Sequence, residues 1–142
     1  MEWDVSAIEG PDGDDWRVPT DELAQRMALA SSALSEAGIE AMLVHDPVDL
    51  YWLTGGRQSG ALLVGSDESA ISSVFWVRQS LERAIWEAGE NDAPFELTSH
   101  PRTKELDSAL KERGCTSTPA MQHGRMPHSQ VTFYEGLIGT SV

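Results

Sequence analysis

Apolar residues recur at spacings of three and four from Leu23 through Met27, Ala30, Leu34 and Ala37, the core-facing stripe of an amphipathic helix. Thr20 stands where an N-cap belongs. Asp21 and Glu22 suit the positive end of the helix dipole, and Gly38 supplies a left-handed stop. Residues 39–44 follow as a strand, apolar on both faces except at Glu40, the pattern of a strand interior to a sheet covered on both sides. His45, Asp46 and Pro47 end it, with Asp46 placed to cap a short helix over 48–53. Two more apolar runs, 61–64 and 71–77, are separated by Gly65, Ser66 and Asp67 and predict an antiparallel hairpin.

The second half alternates helix and strand patterns. A helix over 80–88 turns Leu81, Ala84, Ile85 and Ala88 inward and stops at Gly89. A short strand over 95–97 precedes Pro101, and a helix over 104–113 buries Leu106, Ala109 and Leu110 before Gly114. Residues 116–122 form a further strand, weakened by Pro119. Ser129 caps a last helix through Val131, Tyr134 and Leu137. Glu82, Glu87, Glu105 and Glu112 read as solvated helix charges. Residues 1–19, rich in Asp, Glu, Gly and Pro, read as an irregular acidic arm pinned by Trp3 and Trp16. Residues 20–142 then form one α/β domain, a mixed sheet flanked by helices.

Composition narrows the partners. A chain of 142 residues, 40% apolar, holds one domain with a real core. Its net charge of −13, with Lys only at 104 and 111, argues against nucleic acid and against an anionic membrane surface as partners. Cys115 is the single cysteine, so no disulfide forms within the chain, and its place after Gly114 suits packing more than nucleophilic chemistry. The acidic N-terminus shows no signal-peptide pattern, and no window reaches the length of a membrane span, so a cytoplasmic protein is expected.

Catalytic and metal-binding patterns fail one by one. Asp12 and Asp14 begin a calcium-loop spacing, but Trp16 and Leu23 occupy later ligand positions. His123 and His128 are five apart with Pro127 between them and no HExxH glutamate. In Gly56-Arg57-Gln58-Ser59-Gly60 the serine sits one place late for a nucleophile elbow. Glycines 55, 56 and 60 do not spell a dinucleotide fingerprint and read as turn glycines. No catalytic residue and no metal ligand is expected in this chain.

The stretch IEAMLVHDPVDLYWLTGG, residues 39–56, followed closely by Ala61-Leu62-Leu63-Val64, resembles the N-terminal domain of the creatinase, prolidase and Xaa-Pro aminopeptidase family. There a strand ending near a Pro leads to a "YLTG"-like turn and another strand. Trp52-Leu53-Thr54-Gly55 stands at that turn, with Trp in the usual Tyr position, and the resemblance extends more weakly over about 25–137. It implies a mixed sheet of the ribonuclease H-like type. That sheet receives one more strand after the last helix, so the chain reads as a domain stopping before it. Catalysis in the family rests on a divalent metal pair held by two Asp, one His and two Glu in a C-terminal domain. The resemblance therefore implies no cofactor in this chain and a metal pair in a catalytic domain beyond it. Its implied partners are that catalytic domain and another copy of the chain, as a homo-oligomer. Loops near the turn reach a neighbouring subunit's active site in creatinase-like enzymes, although this loop is shorter than creatinase's. That makes Arg57 a substrate-binding candidate, since a guanidinium grips a carboxylate with paired hydrogen bonds. Trp52 and Tyr51 join it by the same resemblance; as residues alone they also read as core or interface aromatics. The alternative is a free-standing binding or oligomerisation module of the same fold with no peptidase role.

Overall fold

The computed structural model describes residues 17–116 and 119–121. The acidic arm before residue 17, the Asp12–Asp15 cluster, His123, His128 and the expected helix from Ser129 lie outside the described residues.

Helix α1 (Thr20–Ala37) buries Leu23, Met27 and Leu34, as its stripe requires. Its start differs from the expectation. Pro19 holds the N-cap position with φ −56°, Thr20 is already helical, and no side chain caps the end. The Pro19 carbonyl accepts from Glu22 and Leu23 at 3.1 Å, the first bonds of the helix, as an N-cap carbonyl does. At the other end Gly38 is left-handed (φ 72°), and the N–H groups of Gly38 and Ile39 close on Ser35 and Leu34.

Strand β1 (Ala41–Val44) starts later than its apolar run. Ile39 is exposed, and the Glu40 carboxylate accepts from the Thr116 backbone N–H at 2.7 Å and from the Thr116 hydroxyl. Next come α2 (Pro47–Thr54), β2 (Gly60–Gly65), β3 (Val74–Val77) and α3 (Leu81–Glu87). Strand β4 (Glu96–Ser99), helix α4 (Leu106–Glu112) and strand β5 (Ala120–Met121) complete the order, with short 3-10 turns at Glu90–Asp92 and Thr103–Glu105.

Among the described residues five strands form one mixed sheet in the order β4-β3-β2-β1-β5. β1 and β2 are antiparallel (Leu43 opposite Leu63), as are β2 and β3 (Leu62 opposite Phe75). β3 and β4 are parallel, and so are β1 and β5. β1 is therefore interior, and β2–β3 is the expected antiparallel pair. Residues 71–73 do not extend β3; Ile71 packs against the α4 side of the sheet.

Alternation along the strands builds two cores. Val44, Leu62, Val64, Phe75 and Val77 meet residues of α1, α2 and α3 on one face. Ala41, Leu43, Ala61, Leu63, Val74 and Trp76 meet Leu106, Leu110 and Cys115 on the other. Burial chiefly, and then Glu40, push the Cys115 thiol up to about 11, so it stays a packed thiol at neutral pH.

Strand direction decides where chemistry can collect. β1, β3, β4 and β5 all run the same way, and β2 runs against them. One edge of the sheet therefore gathers the carboxyl ends of four strands and the start of the fifth. His45, residues 55–59, Arg78 and His100 lie there.

Candidate functional site

At that edge α2 delivers the chain into the glycine-rich loop. Asp46 caps α2, its carboxylate accepting from the N–H groups of Val48 and Asp49 at 3.1 Å, as expected from sequence. The helix stops at Gly55, whose left-handed φ of 77° brings its N–H 2.9 Å from the Tyr51 carbonyl. The buried Thr54 hydroxyl donates to the Leu50 carbonyl at 2.7 Å and accepts from the Gly56 N–H at 3.3 Å.

The loop after Thr54 is held on several sides. Gln58 Nε2 donates to Glu87 Oε1 at 3.3 Å, and the Ser59 carbonyl accepts from the Arg78 N–H at 3.0 Å. A Cβ on Gly56 would lie 2.6 Å from Glu87 Oε1, so glycine is what lets the loop pass over that carboxylate. Glu87 corrects the sequence reading: it is not a solvated charge but only 8% exposed. Arg83, one turn earlier, pairs with it through Nε at 3.5 Å. The helical spacing of Glu87 could not show that a distant loop folds over it.

The three expected site residues are all at the surface. Tyr51 is 46% and Trp52 42% exposed, so neither is a core aromatic among the described residues. Trp52 is nonetheless fixed. The Arg26 guanidinium lies 5.4 Å from its ring centroid, Arg26 Nη1 donates to its carbonyl at 3.0 Å, and Glu22 holds Arg26 Nε at 3.1 Å. Arg57 is exposed and makes no ion pair among the described residues. Tyr51 and Trp52 stand in the last turns of α2 and Arg57 in the loop that follows it. A cleft of about 380 Å³ lined by Arg17, Pro19, Thr20, Gly89, Glu90 and Asp92 contains none of them.

Sequence reasoning passed over two histidines. His45 hydrogen-bonds to the Gly60 backbone; burial chiefly, then nearby Arg78 and His100, lower its pKa to about 4. His100 is held below the usual imidazole range by burial and then Arg78, with its Nδ1 2.8 Å from the Pro101 carbonyl. Both are neutral near pH 7. Among the described residues no three His, Cys, Asp or Glu side chains cluster in a way that could hold a metal ion. No helix among them is long and apolar enough to cross a membrane.

The fold is shared with solved peptidase structures. Dipeptidase PepE from Mycobacterium ulcerans superposes with a TM-score of 0.66 at 19% identity, over 87% of this chain and 34% of that one. The Xaa-Pro dipeptidase from Bacillus anthracis gives 0.64 at 17% identity, over 87% and 32%. The N-terminal domain of cytoplasmic peptidase PepQ from Mycobacterium tuberculosis H37Rv gives 0.61 at 20% identity, over 82% and 87%. The chain thus spans about a third of the length of the first two. No curated protein sequence is significantly similar to it. The Creatinase/Prolidase N-terminal domain pattern matches residues 26–140, most of the chain, and the chain belongs to that family.

Proposed function

We propose that this chain serves as the noncatalytic N-terminal domain of a Xaa-Pro peptidase or creatinase-like metallohydrolase. In this reading it docks on a C-terminal catalytic domain that carries the divalent metal pair, helps join two copies, and lends Arg57 to the neighbouring copy's substrate. Tyr51 and Trp52 wall the same approach. The observation that carries the reading is the anchored glycine loop. It presents an exposed guanidinium with no ion-pair partner among the described residues, a few residues after two exposed aromatics. The loop backbone on either side is held before a substrate arrives, so gripping a carboxylate orders the Arg57 side chain alone. The single buried cysteine suits a reducing compartment, and the cytoplasm is the proposed location.

The test uses the full-length oligomer with Xaa-Pro dipeptides and creatine as substrates and manganese supplied. Arg57→Ala should lower kcat/KM by roughly 10- to 150-fold, about 1.5–3 kcal/mol for a charge-assisted hydrogen bond. Arg57→Lys should recover only part, because an ammonium cannot form the paired fork. Thermal stability should hardly move. Unchanged kinetics in the alanine variant would make Arg57 an ordinary surface residue.

A further inference from the structure

We propose, on the reading of Arg57 given above, that Glu87 is the positioning residue for that arginine. From the end of α3 its carboxylate clamps the glycine loop on both sides of Arg57 and sets where the guanidinium stands. Residues 55, 56 and 58 all meet Glu87. A Cβ on Gly55 would lie 3.2 Å from the Glu87 carbonyl oxygen, and one on Gly56 2.6 Å from Oε1, so the backbone before Arg57 rests directly on this residue. After Arg57, Gln58 Nε2 donates to the same Oε1 at 3.3 Å. Across residues 56–58, Gly56 is buried, Gln58 is half-buried and Arg57 is exposed. The arginine is thus the residue left to solvent between two contacts with one carboxylate.

Two observations single out Glu87 among the loop's ties. The first is that a carboxylate is disfavoured where it stands. Glu87 is 8% exposed and closes α3, with no basic residue in that helix's last turn. Burial strips the group of water, and the carboxyl end of a helix adds negative potential. Arg83 offsets part of this through Nε, 3.5 Å from Oε2. Oε1 faces the loop, where Gln58 bonds it and Gly56 passes over it. A buried pair of this kind adds little stability, and holding the loop in one conformation gives it a use. The second observation is that α3 keeps the carboxylate still. The Arg83 guanidinium lies over the Trp86 ring at 5.4 Å. Arg17 lies over the same ring at 4.7 Å, with Nη1 3.4 Å from the Trp86 carbonyl oxygen. Resting on the ring restricts Arg83, and Arg83 in turn restricts Oε2. The other ties, Thr54 Oγ1 to the Gly56 N–H and the Ser59 carbonyl to the Arg78 N–H, fasten the backbone before and after the clamp. Loosening the clamp lowers the fraction of loops that present Arg57 to a carboxylate, and apparent affinity falls in proportion.

The test has two arms. In this chain, NMR relaxation gives order parameters for the amides of residues 56–58. They should be near ~0.85 in the parent, as for rigid backbone, and fall below about 0.6 in Glu87→Ala. Glu87→Gln keeps an oxygen for Gln58 and should stay close to the parent. In the full-length oligomer with Xaa-Pro dipeptides, Glu87→Ala should raise KM about tenfold with kcat nearly unchanged, the result of about one loop in ten being competent. Glu87→Gln should recover most of that loss. In an Arg57→Ala background Glu87→Ala should cost little more, because the group it positions is gone. Unchanged order parameters in a folded Glu87→Ala variant overturn the positioning role, and so do additive kinetic effects of Glu87→Ala and Arg57→Ala. A kinetically silent Arg57→Ala overturns instead the role of Arg57 itself, whatever the relaxation shows. Where Glu87→Ala does not fold, Gln58→Ala loosens the same clamp from the loop side and is read by the same outcomes.

Discussion

His45 should make this domain sensitive to mild acid. Its pKa is about 4 in the folded chain, against 6.5 for an ordinary histidine. The folded state therefore disfavours the protonated form and the unfolded state accepts it. Stability from keeping His45 neutral is complete above about pH 6.5 and drains away as pH falls towards 4. Fully developed, the 2.5-unit difference is worth about 3 kcal/mol at 1.36 kcal/mol per unit. At pH 5, where the folded form still resists protonation, about 2 kcal/mol is already lost. His100, lowered by the same causes, acts in the same direction. The assay is urea unfolding at pH 7.5 and 5.0 for the parent chain and for His45→Gln. Glutamine can keep a donor for the Gly60 carbonyl but does not titrate. The stability difference between the two chains should shift by about 2 kcal/mol in favour of the glutamine variant on going to pH 5, while carboxylate effects common to both cancel. An identical pH dependence in both chains, or an NMR titration placing His45 near 6.5, would refute the reasoning.

Packing at two buried positions can be tested in the same way. Leu43 is fully buried in interior strand β1, so Leu43→Asp should abolish the cooperative melt in circular dichroism, an unpaired buried charge costing several kcal/mol; a cooperative transition would show the strand is not interior. Gly56→Ala should destabilise by about 1–3 kcal/mol through its clash with Glu87, and much less in a Glu87→Ala background; additive losses in that double-mutant cycle would place the two residues apart.

Local signals were legible and gathered ones were not. The α1 stripe, the Gly38 stop, the Asp46 cap and the interior character of β1 each depend on neighbours a few residues away, and the residues name them. Thr20 misled because the helix begins one residue earlier than a cap there would need, with Pro19 in the cap position. Glu87 looks like any helix carboxylate until the loop of Gly56 and Gln58 folds onto it. Arg57, Trp52 and Tyr51 are close along the chain, but their exposure depends on how α2 packs against α1, which the residues alone do not state. His45, Arg78 and His100 meet only through strand order, which hydrophobic periodicity does not encode.

The order β4-β3-β2-β1-β5 also shapes how the chain assembles. β1 through β4 pair as successive neighbours, so those contacts close short stretches of chain. Among the described residues β5 pairs over two positions and reaches back from Ala120 to Met42, the most distant closure among the described strands. Loop-closure entropy favours the first four strands forming early and β5 docking last. On a ribosome, most of the sheet could assemble before the segment that completes it has emerged, with one side of β1 open until then. Substitutions in β2 and β3 would then slow folding, and substitutions in β5 would mainly hasten unfolding.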